Sequence, residues 1–107
     1  MALIRGTLDV LVLKTLSWAP LHAFEIITWL GEQSNGQLDI DGPAVIQALH
    51  RMEEKKLVAG EWGTTKNGRR ARYYRMTADG RAHLRAESAK LAADTGTLMG
   101  ILNAKRA

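Results

Sequence analysis

The sequence predicts a mainly α-helical domain with one β-hairpin, in the order helix, helix, helix, hairpin, long helix. Three observations carry that prediction. Apolar residues recur at helical spacing in three successive segments before Leu57. Asn67-Gly68 sits between two strand-like runs, and it suits a tight type I′ turn because both central residues of such a turn need positive φ. Positions 84, 88, 91, 95, 98 and 102 step by 4, 3, 4, 3 and 4, which is a heptad seam on a last helix.

Met1–Arg5 reads as a short arm. Thr7 is the expected N-cap of the first helix, and Asp9 suits the positive end of its dipole. Leu8, Leu11, Val12, Thr15 and Leu16 follow helical spacing, and Val10 and Leu13 widen the apolar face. A helix this apolar is either central or shared with a partner chain. It should end near Trp18, because the residue before Pro20 disfavours the α region.

His22–Gln33 is the second helix, with Ala23, Ile26, Ile27 and Leu30 as its stripe and Phe24 and Trp29 on the flanks. Ser34-Asn35-Gly36 closes it, and Gln37–Ile40 is a connector. Asp41 or Gly42 caps the third helix and Pro43 fits its first turn. Val45, Leu49 and Met52 face inward with Ile46 beside them, and Gln47, His50, Arg51 and Glu54 face outward. The first hairpin strand runs over roughly Val58–Thr65, with Trp62 expected in the core. Lys66-Asn67-Gly68 is the turn and Arg69–Met76 the return. Alternation puts Arg69, Ala71, Tyr73 and Arg75 on one face and Arg70, Arg72, Tyr74 and Met76 on the other. Tyr74 and Met76 are expected to anchor that second face to the core, and Trp18 and Trp29 to lie in the core or at an interface rim.

Thr77 caps the last helix, which can run to about Asn103. Its seam is Leu84, Ser88, Leu91, Thr95, Leu98 and Leu102, amid many alanines. A long helix with nothing downstream to cover it folds onto the body or pairs with another chain, and pairing is the favoured reading. Residues 1–77 then form a nucleic-acid-binding region and 78–107 a dimerisation helix, within a single compact domain. The expected interface is Leu8, Leu11 and Val12 with Leu84, Leu91, Leu98 and Leu102.

Length and charge narrow the function. At 107 residues the chain is one domain, small enough that dimerisation would help to bury apolar surface. Net charge is +4, and residues 50–75 alone carry eight Lys/Arg against three Glu, which suggests a polyanionic partner. The chain has no cysteine, which excludes disulfides, thiol catalysis and Cys-based zinc sites and fits a reducing cytoplasm. The apolar run Val10–Leu13 is too short for a membrane span, and no signal peptide is discernible. His22, His50 and His83 are scattered, and no nucleophile motif, phosphate-cradling glycine loop or metal spacing appears. Glu53-Glu54 reads as solvated surface. No catalytic residue, metal or cofactor is expected.

A short helix, a turn and a second helix with polar exposed positions is the helix-turn-helix arrangement, whose second helix enters the major groove. With the basic hairpin behind it, the fold is a winged helix-turn-helix plus one long C-terminal dimerisation helix. Gln47, His50 and Arg51, with Ala44 at the helix start, are the candidates for base edges of double-stranded DNA, since Gln can pair bidentately with adenine and Arg with guanine. Lys66, Arg69, Arg70 and Arg72 would hold phosphates, and Tyr73 could hydrogen-bond one. A protein-interaction module, or a non-specific architectural DNA-binding protein, is the alternative.

With these residues in hand, the chain resembles the PadR family of bacterial transcriptional regulators over roughly Ile4–Leu84. Gly68-Arg-Arg-Ala-Arg-Tyr-Tyr-Arg-Met-Thr-Ala-Asp-Gly80 is similar to the family's Tyr-Tyr-x-Leu-Thr-x-x-Gly wing ending. Gly6–Leu13 resembles its opening helix and Ala48–Lys55 the end of its recognition helix. The last helix is like that of the small subgroup, which dimerises through its first and last helices. The resemblance implies a homodimer on a pseudo-palindromic operator, and a repressor. It leaves room for a small-molecule effector between the subunits, although no residue identifies one. The chain departs from the family at three places. His22-Ala-Phe-Glu-Ile26 stands for His-Gly-Tyr-Glu-Ile. Ile46 falls where members carry a tyrosine that can face DNA. Lys56 replaces the glycine usual after the recognition helix. The last helix has no aromatic residue, so the aromatic-drug site of some small members is not carried over.

Overall fold

A computed structural model describes residues 6–106; the arm Met1–Arg5 lies outside the described residues. The elements are α1 (Thr7–Thr15), β1 (Leu21–His22), α2 (Ala23–Gln33), α3 (Gly42–Glu54), β2 (Val58–Thr64), β3 (Arg70–Met76) and α4 (Ala78–Leu102). The mainly α, winged arrangement expected from the sequence is the one observed, with a small third strand added to the hairpin.

The helix boundaries follow from local chemistry. Gly6, with φ 91°, precedes α1 without any side-chain cap, so Thr7 is the first helical residue rather than the cap. Helix α1 stops at Thr15, short of Trp18: the Leu16 and Ser17 amides bond back three residues, to Leu13 and Lys14, and the last turn tightens. Helix α2 is opened by a reciprocal pair in which the Glu25 amide donates to His22 Nδ1 at 3.4 Å and the His22 amide donates to Glu25 Oε1 at 3.1 Å. His22 is therefore the cap, not the first helical turn. Asp41 caps α3 through the Ala44 amide, and Thr77 caps α4 through the Gly80 amide at 3.0 Å.

Helices α2 and α3 end in the same way. The Gly36 amide donates to Gly31 and the Asn35 amide to Glu32; likewise the Leu57 amide donates to Met52 and the Lys56 amide to Glu53. These are Schellman closures, which require a left-handed residue just past the helix. That residue is Asn35 (φ 52°) in one case and Lys56 (φ 62°) in the other. A left-handed conformation costs a residue with a Cβ about 1 kcal/mol, part of which glycine returns through its freer unfolded chain. Lys56→Gly should accordingly raise stability by about 0.5–1 kcal/mol in urea denaturation. A loss would mean that the Lys56 side chain contributes more than its backbone costs.

The sheet has the order β1-β3-β2, all antiparallel. The hairpin register runs from Val58↔Met76 to Thr64↔Arg70, with Trp62 opposite Arg72. The turn differs from the type I′ expectation. The Gly68 amide donates to Thr65 O at 2.9 Å and the Thr65 amide to Arg69 O at 2.8 Å, and of Asn67 and Gly68 only Gly68 has positive φ. This is a three-residue loop with a glycine bulge, which needs one left-handed residue rather than two. Strand β1 was not expected: two residues pair with Tyr74 and Tyr73, too short a run to show alternation.

The core joins α1, α2, α3 and the sheet. Val12, Leu13, Ile26, Val45, Leu49, Met52 and Val58 are fully enclosed, and Tyr74 and Met76 close it from the sheet side as expected. Trp62 does not join them; it is exposed. Trp29 packs against the core, and Trp18 is exposed with its ring 5.4 Å from that of Trp29. Val12, expected at the dimer interface, is completely buried in the chain's own core and offers no surface to a partner. Its neighbours Leu8 and Leu11 are half-buried.

Helix α4 leaves this body. Leu84 packs on the core, whereas Leu91, Leu98 and Leu102 are exposed. Among the described residues no helix is long and apolar enough to cross a membrane.

Candidate nucleic-acid interface

Helix α3 divides cleanly by side. Val45, Ala48, Leu49 and Met52 are buried, while Ile46, Gln47, His50, Arg51 and Glu54 are exposed and Ala44 is half-buried. The helical rotation of 100° per residue places Gln47 and His50 near the middle of the outer face, Arg51 on the edge towards α1, and Ile46 and Glu53 on the edge towards the wing. The Asp41 cap and Pro43 fix where this helix begins, and so which residues lie in its leading turns.

Two of the arginines expected to meet DNA are already engaged. Arg51 Nη2 donates to Asp9 Oδ1 of α1 at 2.8 Å. Arg72 Nη2 donates to Glu53 Oε2 at the end of α3 at 2.6 Å. Glu53 is thus half-buried and paired, not solvated as its sequence context suggests. The hydrogen bond to Glu53, aided by that carboxylate's charge, holds the Arg72 guanidinium even more firmly protonated than usual, although partial burial opposes the shift. Arg72 also lies 5.7 Å from the centroids of both Trp62 and Tyr74. It can take this place because Gly60 leaves room: a Cβ there would come within 2.6 Å of its guanidinium. Arg72 therefore ties the hairpin to α3.

The remaining wing cations carry no ion pair among the described residues. Lys66 and Arg69 are exposed at the turn, Arg75 is exposed on the outer face, and Arg70 stacks on Trp62 at 4.5 Å. Tyr73 is half-buried, edge-on to His22 at 5.2 Å and packed over Gly63, where an added Cβ would meet its ring at 2.9 Å. Gln47 and His50 thus stand exposed on the outer face of α3, His50 and Arg70 line the same cleft, and Lys66 and Arg69 are exposed at the hairpin turn, while Arg51 and Arg72 are bound to neighbouring elements.

Sequence reasoning missed Trp62 and Phe24 as surface residues. Both flank an open cleft of roughly 420 Å³ between the start of α2, α3 and the wing. The signal for Trp62 was present: a turn centred on Asn67 puts it directly across from Arg72. No group of three or more His, Asp or Glu among the described residues is arranged to hold a metal ion.

The model of the transcriptional regulator PadR-like family matches residues 12–86. A PadR-like transcriptional regulator from Bacillus cereus superposes with a TM-score of 0.80 at 22% identity, covering 94% of this chain and 96% of that one. A PadR-family regulator from Eggerthella lenta gives the same score of 0.80 at 26% identity, covering 94% and 86%. PadR of Bacillus subtilis, in complex with operator DNA, aligns with 78% of this chain and 47% of its own length, with a TM-score of 0.69 at 13% identity.

Proposed function

Because this chain belongs to the PadR-like family of transcriptional regulators, we propose that it binds double-stranded DNA as a homodimer at a pseudo-palindromic operator and represses transcription. Residues 1–77 form the DNA-binding part and 78–107 the dimerisation helix. The observation that carries the proposal is the pairing of an outward Gln47–His50 ridge on a capped helix with a wing whose Lys66, Arg69 and Arg75 are exposed and form no ion pair among the described residues. The ridge has the donor and acceptor groups that discriminate base edges in the major groove. The wing has the positive charge that fixes register on the backbone. The B. subtilis PadR, a neighbour of this fold, is known on its operator. Two such heads related by two-fold symmetry should meet half-sites ~34 Å apart. Such a protein works where the DNA is, in the cytoplasm. Any small-molecule effector is left unassigned, because no residue identifies it.

Phosphate neutralisation makes log K fall linearly with log salt, by about 0.9 for each contact. On a duplex recovered from a random pool, Lys66→Ala and Arg69→Ala should each flatten that slope by about 0.9 per protomer. Arg72→Ala should leave the slope close to the parent value, because its charge is already spent on Glu53. Equal flattening by all three would show that the Arg72 clasp opens on DNA. No flattening by any of them would sink the wing–phosphate assignment. A pool that yields no enriched palindrome would favour a protein-interaction role.

A further inference from the structure

Among the described residues, the large exposed apolar side chains other than Trp18 fall in two places. One is the free length of α4. The other is Phe24, Ile46 and Trp62, which are 71%, 44% and 55% exposed and line the same cleft. These three come from three elements, α2, α3 and β2, and meet beside His50. Ile46 and His50 are one turn apart on α3 and so lie on one ridge. Any base edge that docks against the leading turns of α3 on the wing side must pass Ile46 first.

We propose that Ile46, walled by Phe24 and Trp62, is a contact for the 5-methyl group of thymine in the major groove, so that this face reads one A·T pair per half-site by apolar contact rather than by hydrogen bonding. The inference rests on the DNA-binding reading above. In the major groove thymine differs from cytosine by an acceptor and a methyl, and an apolar side chain recognises the methyl. The Ile46 side chain has no polar atom to offer a base or a phosphate, and with Phe24 and Trp62 it forms an exposed apolar patch of the kind that marks an interaction site. The wall is held in place. Trp62 is fixed by the guanidinium of Arg70 at 4.5 Å and that of Arg72 at 5.7 Å, and Arg72 is fixed by Glu53. The cleft is roughly 420 Å³ and open to solvent, so Ile46 is reachable by a base edge in the groove.

The test uses the full chain and a duplex selected from a random pool, resynthesised with each thymine replaced in turn by deoxyuridine. That replacement removes the methyl and keeps every hydrogen-bonding group. One buried methyl is equivalent to about a fourfold change in affinity, and about fifteenfold when both half-sites are altered. The expected result is such a loss at one position per half-site and none elsewhere. Ile46→Ala should bind the thymine and uracil duplexes equally at that position while retaining its response at all others. Ile46 is exposed, so the variant keeps the fold, and a matching thermal midpoint verifies this. Uracil tolerated everywhere by the parent protein would overturn the methyl contact while leaving DNA binding intact. A uracil penalty that survives in Ile46→Ala would move the contact to another residue and overturn the assignment. If no duplex is retained from the pool, the DNA-binding reading falls and the methyl contact with it.

Discussion

Gly80→Ala is expected to lose about 2–4 kcal/mol of stability, a large share of the roughly 5–15 kcal/mol available to a domain of this kind. Gly80 is the third residue of α4 and the one buried residue of that helix. A Cβ on it would overlap the Leu57 carbonyl oxygen and approach Met76 Cγ to 2.8 Å. Neither neighbour can step aside. The Leu57 carbonyl accepts from the Thr77 amide at 3.1 Å and from the Thr77 hydroxyl at 3.0 Å, and Met76 is packed in the core. Alanine's better helix propensity returns only about 1 kcal/mol. The loss should lower the thermal midpoint by on the order of 10–20 °C at fixed protein concentration. Gly96→Ala is the matched control. A Cβ there meets nothing within 4 Å, so the same propensity should show as a small gain. If the two variants melt alike, the close packing at the start of α4 is wrong.

Leu98→Glu is expected to break the proposed dimer while leaving each chain folded. Leu98 is 59% exposed, so a charge there costs the monomer little. In a two-fold interface each substitution occurs twice. Losing the burial of one leucine at about 1.5–3 kcal/mol per copy sums to roughly 3–6 kcal/mol, or a 10²- to 10⁴-fold weaker dimer. Sedimentation over a concentration series reads this directly, and operator affinity should fall with it. Truncation after Asp79 would be a poorer test, because it also removes Leu84, which packs on the core. A Leu98→Glu protein that sediments as the parent does would take α4 out of the interface. The groove of roughly 560 Å³ between α4 and the start of α1, lined by Val10, Leu91 and Leu98, is where the partner is expected to seat.

What could be read from the sequence was what depends on neighbours along the chain. The caps Asp41 and Thr77, the Ser34-Asn35-Gly36 stop, the inward stripe Val45–Leu49–Met52 and the anchors Tyr74 and Met76 are all local or periodic signals, and the structure has them. What escaped depends on contacts between distant segments. Strand β1 exists only because β3 offers it an edge, and its two residues have no pattern of their own. Glu53 reads as a solvated surface acid and Asp9 as a helix-dipole residue because their partners, Arg72 and Arg51, lie 19 and 42 residues away. Trp62 reads as a core residue, but its face of the sheet extends past the core to the cleft. Val12 reads as an interface residue because a helix apolar over so much of its surface does not reveal which side its own chain covers. Lys56 is the converse case. The family's glycine there signals a left-handed position, and lysine adopts that conformation all the same.

The junction of wing and long helix leaves no slack. Strand β3 ends at Met76, Thr77 is already the cap, and α4 starts at Ala78. In a dimer assembled through α4, the helix is then a lever with its fulcrum at Gly80 and Leu57. A helix of 25 residues is about 37 Å long, so a tilt of 5° at the fulcrum moves its far end by about 3 Å. That is close to the rise of one base pair. In such a dimer the distance between the two wings would be set by the angle at which this rigid junction launches α4.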